Sequence, residues 1–333
     1  MEQSNYYQTP PKSESQFVNR ITGLFGIRYP IIQAGMIWCA NAELVAAVSN
    51  AGGLGLIGSG SMYPEDLERA LLLVKQLTSK PYGVNIPLLY PDIDKHIELV
   101  IKYEVPIVFT SAGNPKKYTA ELKKAGIKVV HVVSSVKFAL KAQEAGVDAV
   151  VAEGFEAGGH NGRDETTTMV LIPSVAEILD IPVIAGGGIA TGKSMAAAMA
   201  LGADGVQMGS RFVCSIESSA HINFKNAVIN SNEGDTMLRL KKLTPVRLLK
   251  NEFADKVENA EQSGASDIEL AELLGQGRSK KGMFLGDMKE GELEIGQVSG
   301  YLHNILPAAE IVAEVWDEFV GTVRSMSAKL TSY

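Results

Sequence analysis

Cysteine is scarce in this chain: Cys39 and Cys214 are the only two among 333 residues. They cannot frame a disulfide scaffold, so a reducing compartment is the default. Each reads as a packed small hydrophobe, which is how free cysteine usually behaves. Long apolar runs are missing too, and none approaches the ~20 residues of a membrane span. The opening MEQSNYYQTPPKSESQ is polar and lacks the apolar core of a signal peptide. Residues 1–19 therefore read as a disordered tail on a cytoplasmic protein. Positive charge is not in excess: 31 Lys and Arg against 38 Asp and Glu leave a net −7. That balance excludes an electrostatic footprint for nucleic acid or an anionic membrane. Five histidines are dispersed without metal-ligand spacing, so no metal site is expected. The pair Asp164-Glu165 has no carboxylate partner on another element and reads as solvated.

Glycine, by contrast, is plentiful at 33 of 333, above the usual ~7%. The excess suits repeated strand-to-helix turns. From Tyr29 onward short apolar runs alternate with helical periodicity. The strands are expected at 30–34, 53–57, 82–86, 106–110, 128–132, 149–152, 182–185 and 205–208. Helices fill the gaps, with one more placed after Arg211. Eight βα units over roughly 200 residues predict an α/β fold, a closed (β/α)8 TIM barrel spanning 20–230. The run Gly53-Leu54-Gly55-Leu56-Ile57-Gly58 matches the dinucleotide fingerprint G-x-G-x-x-G. Here a helix precedes the glycines and the segment itself is the strand, so the Rossmann reading is rejected. Residues 231–333 read as a helical and Gly-rich appendage packing on the barrel. Within it 231–274 is charged and helical without strand alternation, 275–300 is glycine-rich, and 305–329 is a long amphipathic closing helix. The apolar face of that helix, from Ile305 to Val323, exceeds what one exposed helix needs and predicts a homodimer.

Chemistry in such a barrel sits at the carboxyl ends of the strands. The sixth strand ends in EGFEAGGHNGRDETTT, where His160 follows Gly158 and Gly159, so backbone and imidazole can lie close to a flat ligand. The seventh ends in Gly186-Gly187-Gly188, with Thr191-Gly192 opening the next helix. The eighth ends in Gln207-Met208-Gly209-Ser210. Glycine turns and a helix N-terminus at the last two strands predict a phosphate cradle, and without a Walker lysine the phosphate belongs to a cofactor. Gly35 and Met36 after the first strand allow backbone contact with a planar ring. Asn85 and Gln207 offer amides to its polar edge.

The stretches QAGMIWCANAELVAAVSNAGGLGLIG, KPYGVNIPLL, TSAGNP, AEGFEAGGHNG, IPVIAGGGIATG and GADGVQMGSRF together resemble a family of FMN-dependent barrels. It joins enoyl-acyl-carrier-protein reductase II (the FabK type) to the nitronate monooxygenases, and the likeness covers about 20–225. By that resemblance Gly35, Met36, Asn85, Gly187, Gly188, Gly209 and Ser210 fall on FMN-contacting positions, and His160 on the active-site histidine. Glu153, Gly158 and Gly159 line the same cavity, and Ser111 with Asn114 match the reductase's fourth strand end. The loop form AEGFEAGGH, the TSAGNP stretch and the tail GMFLGDMKEGELEIGQVSG lean towards the reductase. The length between His160 and the seventh strand leans towards the monooxygenase. The resemblance implies NAD(P)H as co-substrate, an acyl-carrier protein as substrate carrier, and activation by a monovalent cation such as K+ or NH4+.

Overall fold

The eight expected strands all form, and they close on themselves. In the computed structural model, which describes residues 17–330, the barrel comprises β1 (Ile31–Gln33), β2 (Leu54–Gly58), β3 (Tyr82–Pro87), β4 (Ile107–Ser111), β5 (Lys128–Val133), β6 (Ala149–Glu153), β8 (Val183–Gly186) and β9 (Gly205–Met208). β7 (Gly159–His160) lies outside it. Every barrel pairing is parallel, and β1 closes onto β9 with Ile31 opposite Val206. Alternation along each strand divides the apolar residues between two layers. Ile107 and Phe109 of β4 join Ile32, Leu56, Val130, Val151 and Ile184 in the barrel's interior. Val108, Val129, Val150 and Val206 face the surrounding helices. Gly53–Gly58 supplies β2 itself, in keeping with rejection of the Rossmann reading.

The helices are α1 (Arg20–Phe25), α2 (Ala42–Asn50), α3 (Pro64–Leu77), α4 (Ile93–Lys102), α5 (Thr119–Lys124), α6 (Val136–Glu144), α7 (Thr168–Ala176), α8 (Gly192–Ala200), α9 (Ser210–Val213), α10 (Ile222–Ile229), α11 (Glu252–Gln262), α12 (Asp267–Leu274) and α13 (Ala308–Leu330). α1 places Ile21 and Phe25 against the interior layer and so fills the barrel. Its N-cap Asn19 accepts from the N–H groups of Ile21 and Thr22 at 3.1 and 2.9 Å. Ordered structure thus begins before residue 20: Phe17 packs edge-on to Trp316 with ring centres 5.2 Å apart. The rest of the expected tail, residues 1–16, lies outside the described residues.

One expectation for the appendage needs correction. Residues 231–274 are not purely helical: β10 (Thr236–Arg239) and β11 (Val246–Leu249) form an antiparallel ladder, and β11 pairs on its other edge with β7. Four buried residues in β11 leave no polar alternation to betray it. The long amphipathic helix does form as α13, but Ile311, Val312, Val315 and Phe319 are buried within the chain's own core cluster, against α8 and α2. Part of the apolar face that suggested a homodimer is therefore covered within one chain, while Val323 is 45% exposed. Asp164 and Glu165 are both exposed, as expected, and Glu165 pairs with Lys241 at the surface. Among the described residues no helix is long and apolar enough to cross a membrane.

Candidate active site

A cavity of about 1320 Å3 opens at the carboxyl end of the barrel. It exceeds the roughly 300–1,000 Å3 typical of a single small-molecule pocket and so has room for two ligands side by side. Of the residues singled out from the sequence, Gly35, Met36, Asn85, Ser111, Asn114, Glu153, Gly158, Gly159, His160, Gly187, Gly188, Gln207, Gly209 and Ser210 line it, and Thr191 and Gly192 do not.

The floor is built by close backbone packing. A Cβ on Gly35 would overlap Asn85 Cβ, so only glycine lets the turn after β1 pass β3. Asn85 in return donates from Nδ2 to Gly35 O at 3.4 Å. Gln33, buried at the end of β1, is occupied in holding β2, accepting from Leu56 N at 3.2 Å and donating to Leu56 O at 3.2 Å. Gln207 is different: 7% exposed and facing the cavity, its side-chain amide has no partner among the described residues. Its amide keeps access to the cavity and so is free to meet a ligand there.

At the end of β8, Gly187 and Gly188 adopt φ of +84° and +70°. Thr168 at the start of α7 donates from Oγ1 to Gly187 O at 2.9 Å, securing the carbonyl side of this turn. The N–H groups of Gly187 and Gly188 meet no acceptor among the described residues. A Cβ on Gly187 would come within 2.7 Å of Gly154 O, so the turns after β6 and β8 pack backbone to backbone. Ser210 at the end of β9 accepts from Gly296 N at 2.9 Å, leaving its own O–H free to donate. This pair of turns has the donor chemistry of an anion cradle.

The N-terminus of α8 does not contribute, contrary to expectation. Thr191 and Ser194 cap it reciprocally, and Glu318 of α13 accepts from Gly192 N at 2.8 Å. A carboxylate from the chain itself already sits where a phosphate was expected. Gly192 is present for a different reason, since a Cβ there would lie 2.6 Å from Glu318 C and closer still to other backbone atoms of α13.

His160 is held by a strand, not by a free loop. It stands opposite Val246 of β11, and Gly159 stands opposite Arg247. Arg247 is fully buried; its Nη2 donates to Phe155 O at 2.8 Å and its guanidinium lies 4.4 Å from the centre of the Phe155 ring. That contact ties β11 to the loop after β6. The imidazole opens onto the cavity, yet the surrounding protein desolvates it and lowers its pKa, with Glu292 acting the other way. Glu153, at the end of β6, is ringed by protein and its carboxyl is pushed up to about 7 by burial. His131 of β5 also lines the cavity; burial lowers it to about 4, and Thr110 Oγ1 lies 2.7 Å from its Nδ1.

Sequence reasoning missed Tyr90, Glu292 and Glu294. The segment Gly291–Gly296 crosses the mouth, with Leu293 and Ile295 buried beneath it. Glu294 lines the main cavity, and burial raises the pKa of both carboxyls. A signal existed: E-L-E-I alternates with period two, which marks an extended segment with one acidic and one apolar face. Cys39 and Cys214 are both buried, and desolvation pushes both thiols up, Cys214 to about 12. Neither has the depressed pKa of a reactive cysteine. Among the described residues no group of three or more His, Cys, Asp or Glu could hold a metal ion.

Comparison with known proteins gives a consistent result. The family described as nitronate monooxygenase matches residues 18–96 and 90–318. A probable nitronate monooxygenase from Staphylococcus saprophyticus is 38% identical, covering 72% of this chain and 80% of that protein. The solved structure of FabK from Thermotoga maritima is 43% identical with a TM-score of 0.90, covering 94% of this chain and 99% of that one. Nitroalkane oxidase from Streptomyces ansochromogenes is 26% identical with a TM-score of 0.80, covering 92% and 100%.

Proposed function

Since this chain belongs to the nitronate monooxygenase family, we propose that it is an FMN-dependent oxidoreductase of the FabK type, reducing trans-2-enoyl thioesters on an acyl-carrier protein with NAD(P)H. The observation that carries the reading is one cavity holding both an anion cradle, at Gly187, Gly188, Gly209 and Ser210, and a histidine presented by a strand across from it. The residues fit a flavin mononucleotide. Unengaged N–H groups and the Ser210 hydroxyl suit its phosphate, Gly35 and Met36 suit its ring, and the amides of Asn85 and Gln207 suit its carbonyls or ribityl hydroxyls. When bound, FMN would supply a carrier for hydride between the nicotinamide and the substrate's β-carbon. Glu153, whose carboxyl burial pushes up to about 7, carries only part of a negative charge at neutral pH. His160 donates the hydrogen bond or proton that the thioester requires as the α-carbon becomes basic. Ser111 and Asn114, at the far side of the cavity, contact the substrate, and the segment Gly291–Gly296 excludes water from above. Support for the FabK-type branch comes from the 43% identity to the Thermotoga maritima protein across nearly the whole of both chains.

Nitronate oxidation with O2 is the second reading, favoured by the name of the staphylococcal relative. Anaerobic stopped-flow separates the two. Bleaching of the flavin by NADH but not by propionate-3-nitronate, then recolouring by an enoyl thioester, fits the reductase; the reverse pattern fits the monooxygenase. His160→Ala should retain FMN while turnover falls roughly 10²–10⁴-fold, the usual worth of a positioned acid or base. A colourless protein that cannot be reconstituted with FMN would refute both readings.

A further inference from the structure

Beside the main cavity lies a second, of about 180 Å3, and His160 forms part of the wall between them. Glu294, Tyr90, Ile37 and Thr244 also face both spaces, whereas Glu292 lines only the smaller one. Leu240, Leu243, Val246 and Leu274 complete a mostly apolar enclosure. Glu292 is 8% exposed, and its carboxyl has no hydrogen-bond or ion-pair partner among the described residues. Its oxygens keep access to the smaller cavity and lack only a protein partner, so the carboxyl is free to carry a proton or to meet a ligand there.

Its placement is set by the same sheet that sets the histidine. Along the free edge of β11, His160 stands opposite Val246, and Glu294 stands opposite Leu248 two residues further on. The two segments meet closely: a Cβ on Gly159 would lie 2.5 Å from Glu294 Oε2, and one on Gly158 would lie 2.5 Å from Gly296 N. Glu292 and Glu294, alternate residues of one extended segment, thus both line the smaller cavity that His160 also lines.

We propose that Glu292 supplies the proton that His160 delivers to the substrate, acting through the histidine across the smaller cavity without touching substrate itself. The proposal rests on the enoyl-reductase reading. Saturating the double bond takes a hydride at the β-carbon, from the nicotinamide by way of the flavin, and a proton at the α-carbon. A neutral imidazole is too weak an acid to provide that proton from its own store. It can pass one on: one ring nitrogen accepts a proton relayed from the Glu292 carboxyl by water in the smaller cavity, while the other releases its N–H proton to the α-carbon. Histidine ends neutral with its tautomer reversed, and the carboxylate left behind recovers a proton from water.

The electrostatics agree with that assignment. Burial first, and then the neighbouring Glu294 charge, raise the Glu292 pKa, while His160 and Arg278 oppose the rise. Tyr90 faces the pair from the loop after β3, and its own pKa is raised by burial and by both glutamates. Arg278 is largely committed elsewhere, donating to Leu274 O at 3.0 Å and Glu290 O at 2.9 Å. Glu292 is accordingly protonated below its raised pKa, and the supply ends as pH rises through it.

The test uses FMN-loaded enzyme and two readouts. In ¹⁵N spectra of the five histidines, the His160 ring should show a second inflection on the alkaline side as Glu292 ionises. Glu292→Gln should abolish it, and Glu294→Gln should move it to lower pH by removing the repulsion. In stopped-flow, Glu292→Gln should slow flavin reoxidation by enoyl thioester roughly 10²-fold, the low end for a positioned acid. Its alkaline fall in rate should disappear, reduction by NADH should stay unchanged, and Glu292→Asp should restore part of the loss. A His160 titration identical in wild type and Glu292→Gln would overturn the proposal. So would equal losses in both half-reactions, which would make Glu292 structural. A wild-type enzyme that ignores enoyl thioesters refutes the reductase reading instead, and the His160 titration still judges the coupling by itself.

Discussion

Gly192 offers a sharp test, because two rules about it predict opposite signs. On helix propensity alone, Gly192→Ala at the first residue of α8 should stabilise the chain by up to about 1 kcal/mol. The packing says otherwise. The new Cβ would sit 2.6 Å from Glu318 C, and closer still to Phe319 N and Val315 O. Carbon contacts are comfortable at about 3.5–4.0 Å, so α13 must retreat by roughly 1 Å. All three obstacles are backbone atoms, and no rotamer change relieves them. The retreat loosens Ile311, Val312, Val315 and Phe319, each worth about 1.5–3 kcal/mol when fully buried. It also stretches the bond from Gly192 N to Glu318. A net cost of about 3–5 kcal/mol follows, at or beyond the top of the usual range for overpacking. For a chain of this size that lowers Tm by roughly 6–10 °C. Thermal unfolding followed by circular dichroism, with flavin counted by absorbance, measures both effects. FMN per folded molecule should be unchanged, since α8 gives its N–H groups to Glu318 and not to a ligand. A variant with wild-type Tm would refute the packing argument; one that kept its Tm and lost FMN would return the helix terminus to the cradle.

Gly188→Val should act in the opposite way: at φ +70° a β-branched residue is strained, so FMN affinity should fall at least about tenfold with circular dichroism unchanged, read by flavin fluorescence on dilution. Arg247→Met should strand the Phe155 carbonyl and cost about 2–4 kcal/mol in urea unfolding, with kcat falling because the strand beside His160 loses its tether. For Glu153 burial pushes the carboxyl up to about 7, above its ordinary value of 4.5. Its contribution is therefore whole below about pH 4.5 and lost as pH rises through 7, so the apoprotein should lose up to about 3 kcal/mol by pH 8. Glu153→Gln should flatten that slope; an equally steep profile in the variant would assign the loss to other groups.

The barrel was legible because its strands are buried on both faces and bounded by glycine turns, as Leu54–Gly58 and Val183–Gly186 illustrate. The positions facing the cavity were legible for the same reason, since a strand's carboxyl end is defined by the strand. β10 and β11 were not. Four residues each, they gain meaning only from β7, some ninety residues earlier in the chain. His160 was found by its glycines, but its rigidity was missed because the strand that fixes it was missed. Glu292 and Glu294 escaped notice because acidic residues in a glycine-rich tail look solvated until the segment is seen lying across the mouth. The misassigned cradle at Thr191-Gly192 has a similar origin: a helix N-terminus advertises its donors, and only distant Glu318 shows that they are taken.

The seam where β1 meets β9 has a bearing on when this chain can fold. α13 packs on both α8 and α2, so the helix made last bridges the final and the first units of the ring. Those contacts join residues about 270 positions apart, and closing so long a loop is paid for in entropy before any contact offsets it. During synthesis the strands can pair in order with their neighbours, and β9 can meet β1, but the seam goes without its outer brace until α13 has been made. Until then the apolar faces of α2 and α8 lack their cover. The nascent chain thus passes through an unbraced form with sticky flanks on α2 and α8, the kind of species that aggregates or recruits a chaperone. The closing helix acts as a timing device as well as a brace.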